Sequence, residues 1–179
     1  MKLRRAYGTL TAHFLHDRAH GVDEREIVPY SARKQVSEER TYRDDITTQE
    51  QVHRELLARA EGVAHELRRK DVVGRTVVLK ARDNRFNTVT RSRTLEEPTD
   101  LASEIFEVAW ELYRTRVDFG GRGLRLLGVG VKDLVAEKEI PRTLFPNERR
   151  ERARRAARAL DRLTERYGKD LIRPARLLD

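Results

Sequence analysis

Phe86-Asn87-Thr88-Val89-Thr90-Arg91-Ser92-Arg93-Thr94-Leu95 sets hydroxyls and guanidiniums on a stretch whose Val, Thr and Phe favour extended backbone. Arg91 and Arg93 stand two apart, so both project from one face of a pleated strand. Guanidinium, hydroxyl and backbone N–H are the donors that grip a nucleic-acid backbone without reading its bases. Arginine on an edge strand has a second, plainer use as a guard against aggregation. Just upstream, Arg75 to Arg82 alternates, with Val77, Leu79 and Ala81 on one face and Thr76, Val78, Lys80 and Arg82 on the other. Asp83-Asn84-Arg85 is a turn between the two runs, which together read as a β-hairpin.

Outside the hairpin the pattern continues in both directions. Lys34 to Ile46 reads as a first strand, and Thr48 followed by Gln51 is a capping-box signature. Val52, Leu56, Ala60, Val63 and Leu67 then mark one face of a helix that runs to about Lys70. Pro98-Thr99-Asp100 starts a second helix, with Leu101, Ile105, Val108 and Leu112 facing a core and acids in its first turns. Leu124 to Leu134 is a nearly continuous apolar strand interrupted by Gly128 and Gly130. The order β-α-β-β-α-β predicts an α+β fold in which two helices cover one face of a four-stranded sheet and leave the other open. An open face carrying Arg and Thr, with the acidic helices turned away, suits a polyanion.

The flanks differ in character. In residues 1–32, Leu3, Tyr7, Leu10 and Phe14 lie at helical spacing before a stop at Gly21 and a linker from Val22. Residues 33–135 form the sheet domain. In residues 136–179, an irregular stretch from Ile140 to Pro146 precedes a very basic helix from Asn147 to Tyr167, with a weak apolar stripe and Gly168 as its cap.

Length bounds the answer to one domain with a real core plus appendages, since the chain has 179 residues. The formal net charge is +8, but residues 141–179 carry 12 basic and 6 acidic residues, which leaves 26 basic against 24 acidic for the rest. Any affinity of the body for nucleic acid must therefore come from segregation of sign. Arg75 to Leu95 holds six bases and one acid, whereas Asp100 to Glu111 holds four acids and no base. The absence of cysteine excludes disulfide frameworks and thiolate metal sites. No apolar run approaches a membrane span and no signal peptide opens the chain, so a cytoplasmic protein with no membrane partner is expected.

Three separated segments carry a family resemblance. Lys34-Gln35-Val36-Ser37-Glu38-Glu39-Arg40-Thr41-Tyr42, the Phe86 to Leu95 strand with Glu97-Pro98-Thr99, and Gly123-Leu124-Arg125-Leu126-Leu127-Gly128-Val129-Gly130-Val131 resemble the little-finger domain of Y-family translesion DNA polymerases, the bacterial DNA polymerase IV type above all. Leu3 to Gly8 and Gly21-Val22-Asp23 are similar to the last thumb helix and linker of that family, and Arg166 to Leu178 to its extreme end. The resemblance implies a module that lies against duplex or primer-template DNA and holds both backbones through its sheet. It implies phosphate contacts at Lys34 and Ser37 on the first strand and at Arg91, Ser92, Arg93 and Thr94 on the third. Gln35 stands where the family usually has Ser, so there the backbone N–H is the expected contact. With Lys80, Arg82 and Thr90 these residues make up the expected DNA-binding set. Leu144-Phe145 falls where the family carries its sliding-clamp peptide, although Pro141 and Arg142 replace that peptide's Gln and first Leu.

Catalysis is not expected of this chain alone. The family's palm carboxylates, which hold two metal ions for phosphoryl transfer, have no counterpart here, so magnesium is expected only in a complete polymerase and no cofactor or metal in this chain. Glu38-Glu39, Asp44-Asp45 and Glu96-Glu97 are adjacent pairs, which on a strand point to opposite faces. His16 and His20 are four apart on a helix near His13, a spacing that a metal could bridge and that helices also acquire by chance. Gly120-Gly121-Arg122-Gly123 precedes a strand instead of opening a helix, which argues against a phosphate loop. Two alternatives to DNA gripping stand beside it: an interaction protein that occupies the clamp through Leu144 and Phe145, and an RNA-binding module of similar topology. The latter stacks bases on strand aromatics, and none lies between Arg91 and Thr94.

Overall fold

The computed structural model describes residues 2–26, 34–140, 147–168 and 177. The chain divides into two compact units, Met1–Ala32 and Arg33–Asp179. In the first, helix α1 (Lys2–Ala19) breaks at Gly8, whose φ of 78° lies outside helical space. Its spaced apolar residues Leu3, Tyr7, Leu10 and Phe14 are all exposed.

The second unit follows the predicted order: β1 (Gln35–Ile46), α2 (Gln49–Arg69), β2 (Val72–Asp83), β3 (Thr88–Thr99), α3 (Ala102–Arg116) and β4 (Leu124–Ala136). The four strands form one antiparallel sheet in the order β1-β4-β2-β3, so each βαβ unit is split by a strand from the other. Helix α2 starts where the sequence places it. Thr48 accepts from the Gln51 N–H while the Gln51 side chain accepts from the Thr48 N–H, closing the capping box. The buried stripe Val52, Leu56, Ala60, Val63, Ala64 and Leu67 joins Ile105, Val108 and Ala109 of α3 over the inner sheet face. That face is Val77, Leu79 and Ala81 of β2 with Leu127, Val129 and Val131 of β4, all nearly inaccessible.

Two boundaries differ from expectation. Phe86 sits in the turn with φ 66°, 72% exposed, and β3 begins only at Thr88. Strand β3 then runs on through Pro98 to Thr99, and α3 starts at Ala102. The cause is a bulge: Thr76 pairs with Thr94 but Gly74 with Thr99, so β3 spends extra residues there, and Pro98 is tolerated because β3 is an edge.

Helix α4 (Glu148–Tyr167) lies in the same compact unit, held by charges more than by its alanines. Arg150 reaches Glu97, Glu104 and the Pro98 carbonyl, Arg154 reaches Asp100, and Arg158 reaches Glu137. Asp161 accepts from Arg68 at 2.5 and 2.9 Å and lies 2.9 Å from the His65 ring. Burial opposes ionisation of Asp161, but the bonds from Arg68 and His65 outweigh it and lower the carboxyl's pKa.

Candidate nucleic-acid interface

Strand register turns the uncovered sheet face into a grid. Four rows cross β1, β4, β2 and β3 in turn: Gln35-Lys132-Thr76-Thr94, Ser37-Gly130-Val78-Ser92, Glu39-Gly128-Lys80-Thr90 and Thr41-Leu126-Arg82-Thr88. The outer column on β3 is therefore four hydroxyls at every second residue, beside two bases of β2. Arg82 donates to the Thr88 hydroxyl at 2.7 Å, and Thr76 and Thr94 share a hydroxyl pair at 2.9 Å. Thr76 also lies 2.5 Å from Asp133.

The β4 column has no side chains in its two middle rows. A Cβ on Gly128 would stand 2.8 Å from the Glu39 Cβ, and one on Gly130 2.9 Å from the Ser37 Cβ. Glycine is thus required by the close approach of β1 and leaves a furrow down the sheet. Across that furrow the Lys80 ammonium reaches Glu39 at 2.8 Å, a contact between strands that are not neighbours.

The structure brings Gln35, Ser37, Lys80, Arg82, Thr90, Ser92 and Thr94 together on this face, with exposed Lys34 just ahead of β1. It corrects the expectation for Arg91 and Arg93. Their partners in β2 are Leu79 and Val77, so both point to the helical side of the edge strand. Arg93 pairs with Glu111 of α3 at 2.7 Å, and Arg91 donates to the Arg116 carbonyl at 3.1 Å, where the C-terminal end of α3 favours a cation. The signal was present in the sequence, because Val89 and Leu95 share the parity of Arg91 and Arg93. Thr88 and Lys132 complete the open face and were not singled out. Leu144 and Phe145 lie outside the described residues.

One end of the sheet is closed by a buried carboxylate. Asp83 accepts from the backbone N–H groups of Arg85 and Asn87, from the Asn87 amide, and from Arg122 at 2.7 Å. Burial raises its pKa, and these four donors overcome that and hold it at about 2. The glycine loop is spent on this structure as well, since Gly120 donates to Asp118 and Arg122 to Asp83.

The Glu38-Glu39 pair separates as strand geometry requires: Glu38 meets Arg59 of α2 and Glu39 meets Lys80 on the open face. The His16 and His20 rings stack at 4.2 Å. Among the described residues no group of three or more His, Asp or Glu is placed to hold a metal ion, and no helix is long and apolar enough to cross a membrane.

Fold and face together define an open-faced α+β sandwich, with a two-helix layer on one side of an antiparallel sheet and a hydroxyl-rich surface on the other. Residues 33–144 match the impB/mucB/samB family C-terminal domain, and the chain belongs to that family. Proteins named DNA polymerase IV are similar along most of it: 37% identity over 92% of this chain and 40% of the Caulobacter vibrioides protein, and 41% over 74% of this chain and 27% of the Streptomyces coelicolor protein. The Mesorhizobium japonicum DNA polymerase IV 1 is 36% identical over 95% of this chain and 38% of its own length. The chain thus spans about two-fifths or less of these relatives. A solved chain from a complex of beta-clamp processivity factor and the little finger domain of PolIV aligns more loosely, with TM-score 0.48 and 22% identity over 62% of this chain and 96% of that one.

Proposed function

We propose that this chain binds duplex DNA without regard to base sequence, as the non-catalytic little-finger module of a translesion DNA polymerase. The observation that supports the reading best is the grid. Hydroxyls and bases of β2 and β3 stand in register on the uncovered face, while the acids of α2 and α3 lie on the other side of the sheet. Such donors position a phosphate backbone and carry no base code. In this reading edge strand β3 runs along one backbone, with Thr88, Thr90, Ser92 and Thr94 on one side of it and Arg91 and Arg93 on the other. Releasing Arg93 from Glu111 costs little, since exposed pairs are worth about 0–1 kcal/mol. The sliding clamp is a second proposed partner on the strength of Leu144 and Phe145 alone, and replacing both by Ala should abolish clamp binding while leaving DNA binding intact.

Contact of the 34–134 sheet domain with about four to six phosphates contributes roughly −4 to −5 to the log–log salt slope in a fluorescence anisotropy titration. Lys80→Ala with Arg82→Ala should weaken binding, as should Arg91→Ala with Arg93→Ala, and both more than replacing exposed Glu107 on the helical side of the sheet. Salt-independent binding, or strong discrimination between sequences, would refute the proposal. Wild-type affinity in the β2 pair would reject the open face.

A further inference from the structure

Helix α4 has two faces with different fates. Arg150, Arg154 and Arg158 recur every four residues and each meets a carboxylate of the domain, and Asp161 extends the same row to Arg68. Ala153, Ala156, Ala157 and Leu160 line the cavity between α4 and α2. Round the rest of the helix, Arg152, Arg155, Arg162 and Arg166 follow one another at helical spacing and are all exposed, Arg155 and Arg162 at the rims of clefts between α4 and the domain. Among the described residues, Arg155 and Arg162 have no acidic partner, Arg152 meets only the exposed Glu148 at 3.4 Å, and Arg166 lies over the Tyr167 ring. The docked face thus holds the helix in place and the outer face presents guanidiniums on a fixed rod.

We infer that the outer face of α4 is a second phosphate-binding track for duplex DNA, separate from the sheet. From Arg152 to Arg166 the stripe extends about 21 Å along the helix, which matches about six phosphates of one strand measured along the duplex axis. Arginine suits the task because its planar fork meets phosphate oxygens two at a time. Leu160, Leu163 and Tyr167 are exposed on the same helix, a combination that an anionic lipid surface also accepts, so binding to anionic vesicles is the competing outcome of the test. The inference rests on the reading of the chain as a DNA-binding module, yet it can fail or stand independently of the sheet.

The test uses the full chain with Arg152, Arg155, Arg162 and Arg166 changed together to Gln, and in parallel to Lys. Each lost phosphate contact removes about one from the salt slope, so the Gln variant should lower the slope by about 3 to 4 and weaken duplex binding at least tenfold at 100 mM salt. The Lys variant should keep most of the slope. Unchanged duplex binding in the Gln variant overturns the inference, as does a loss of binding to anionic vesicles with none to DNA. Failure of the Lys variant to restore the slope also overturns it, because the loss would then follow from altered helix docking. A full effect of the Gln variant alongside wild-type binding by the Lys80, Arg82 variant would support α4 and reject the sheet reading.

Discussion

Replacing Asp161 by Ala should release α4 from the domain without unfolding it. The carboxylate receives two bonds from Arg68, whose side chain is only 7% exposed, and a third contact from His65. Without it Arg68 keeps, among the described residues, the Asp100 carbonyl at 2.8 Å as its acceptor. A charge-assisted bond is worth about 1.5–3 kcal/mol, but Asp161 is partly exposed and neighbouring bonds do not add, so the net loss is about 2–3 kcal/mol after screening. That corresponds to a shift of about 30- to 150-fold in the docking equilibrium. Hydrogen exchange reads it directly: amides from Ala153 to Thr164 should exchange faster by that factor, while the slowest amides of β2 and β4 stay unchanged. Unaltered exchange in α4 would mean that the ion pairs do not hold the helix. Equal acceleration in the sheet would mean that α4 belongs to the core's cooperative unit.

Gly128→Ala should destabilise the domain by about 1–3 kcal/mol, because its methyl would stand 2.8 Å from the Glu39 Cβ and force β1 outward; a denaturant midpoint equal to the parent's would refute the close approach. Asp83 has its pKa held below the unfolded value, so its contribution is complete above about pH 4 and is lost as pH falls through about 2. Asp83→Asn should therefore flatten the loss of thermal stability between those values, and an acid transition as steep as the parent's would show that another group governs it.

Much of this was legible because local chemistry and tertiary demand agree. The capping box at Thr48 needs only four consecutive residues, and the alternation of Val77, Leu79 and Ala81 names the core face without any partner strand. The orientation of Arg91 and Arg93 is a different matter, because it is decided by pairing with Leu79 and Val77 and by the parity of Val89 and Leu95. Residue type pointed outward and register pointed to the helices, and register prevails because one slip would invert the whole strand. The docking of α4 escaped a reading based on apolar stripes because its interface consists of charges. Its trace in the sequence is the four-residue repeat Arg150, Arg154, Arg158 against the acids Glu97, Asp100 and Glu104.

Strands β1 and β4, the first and last of the sheet, are antiparallel neighbours with Gln35 beside Lys132, so the chain enters and leaves the domain at the same end. A pull on the two flanking segments acts along the inter-strand hydrogen bonds. It loads one residue pair at a time, beginning at Gln35, and the sheet opens as a zipper instead of shearing. The segment after β4 is tied down, since Glu137 meets Arg158 and Arg150 of the same helix meets Glu97 and Glu104. With that side anchored, a pull applied at Gln35 peels β1 from β4 pair by pair.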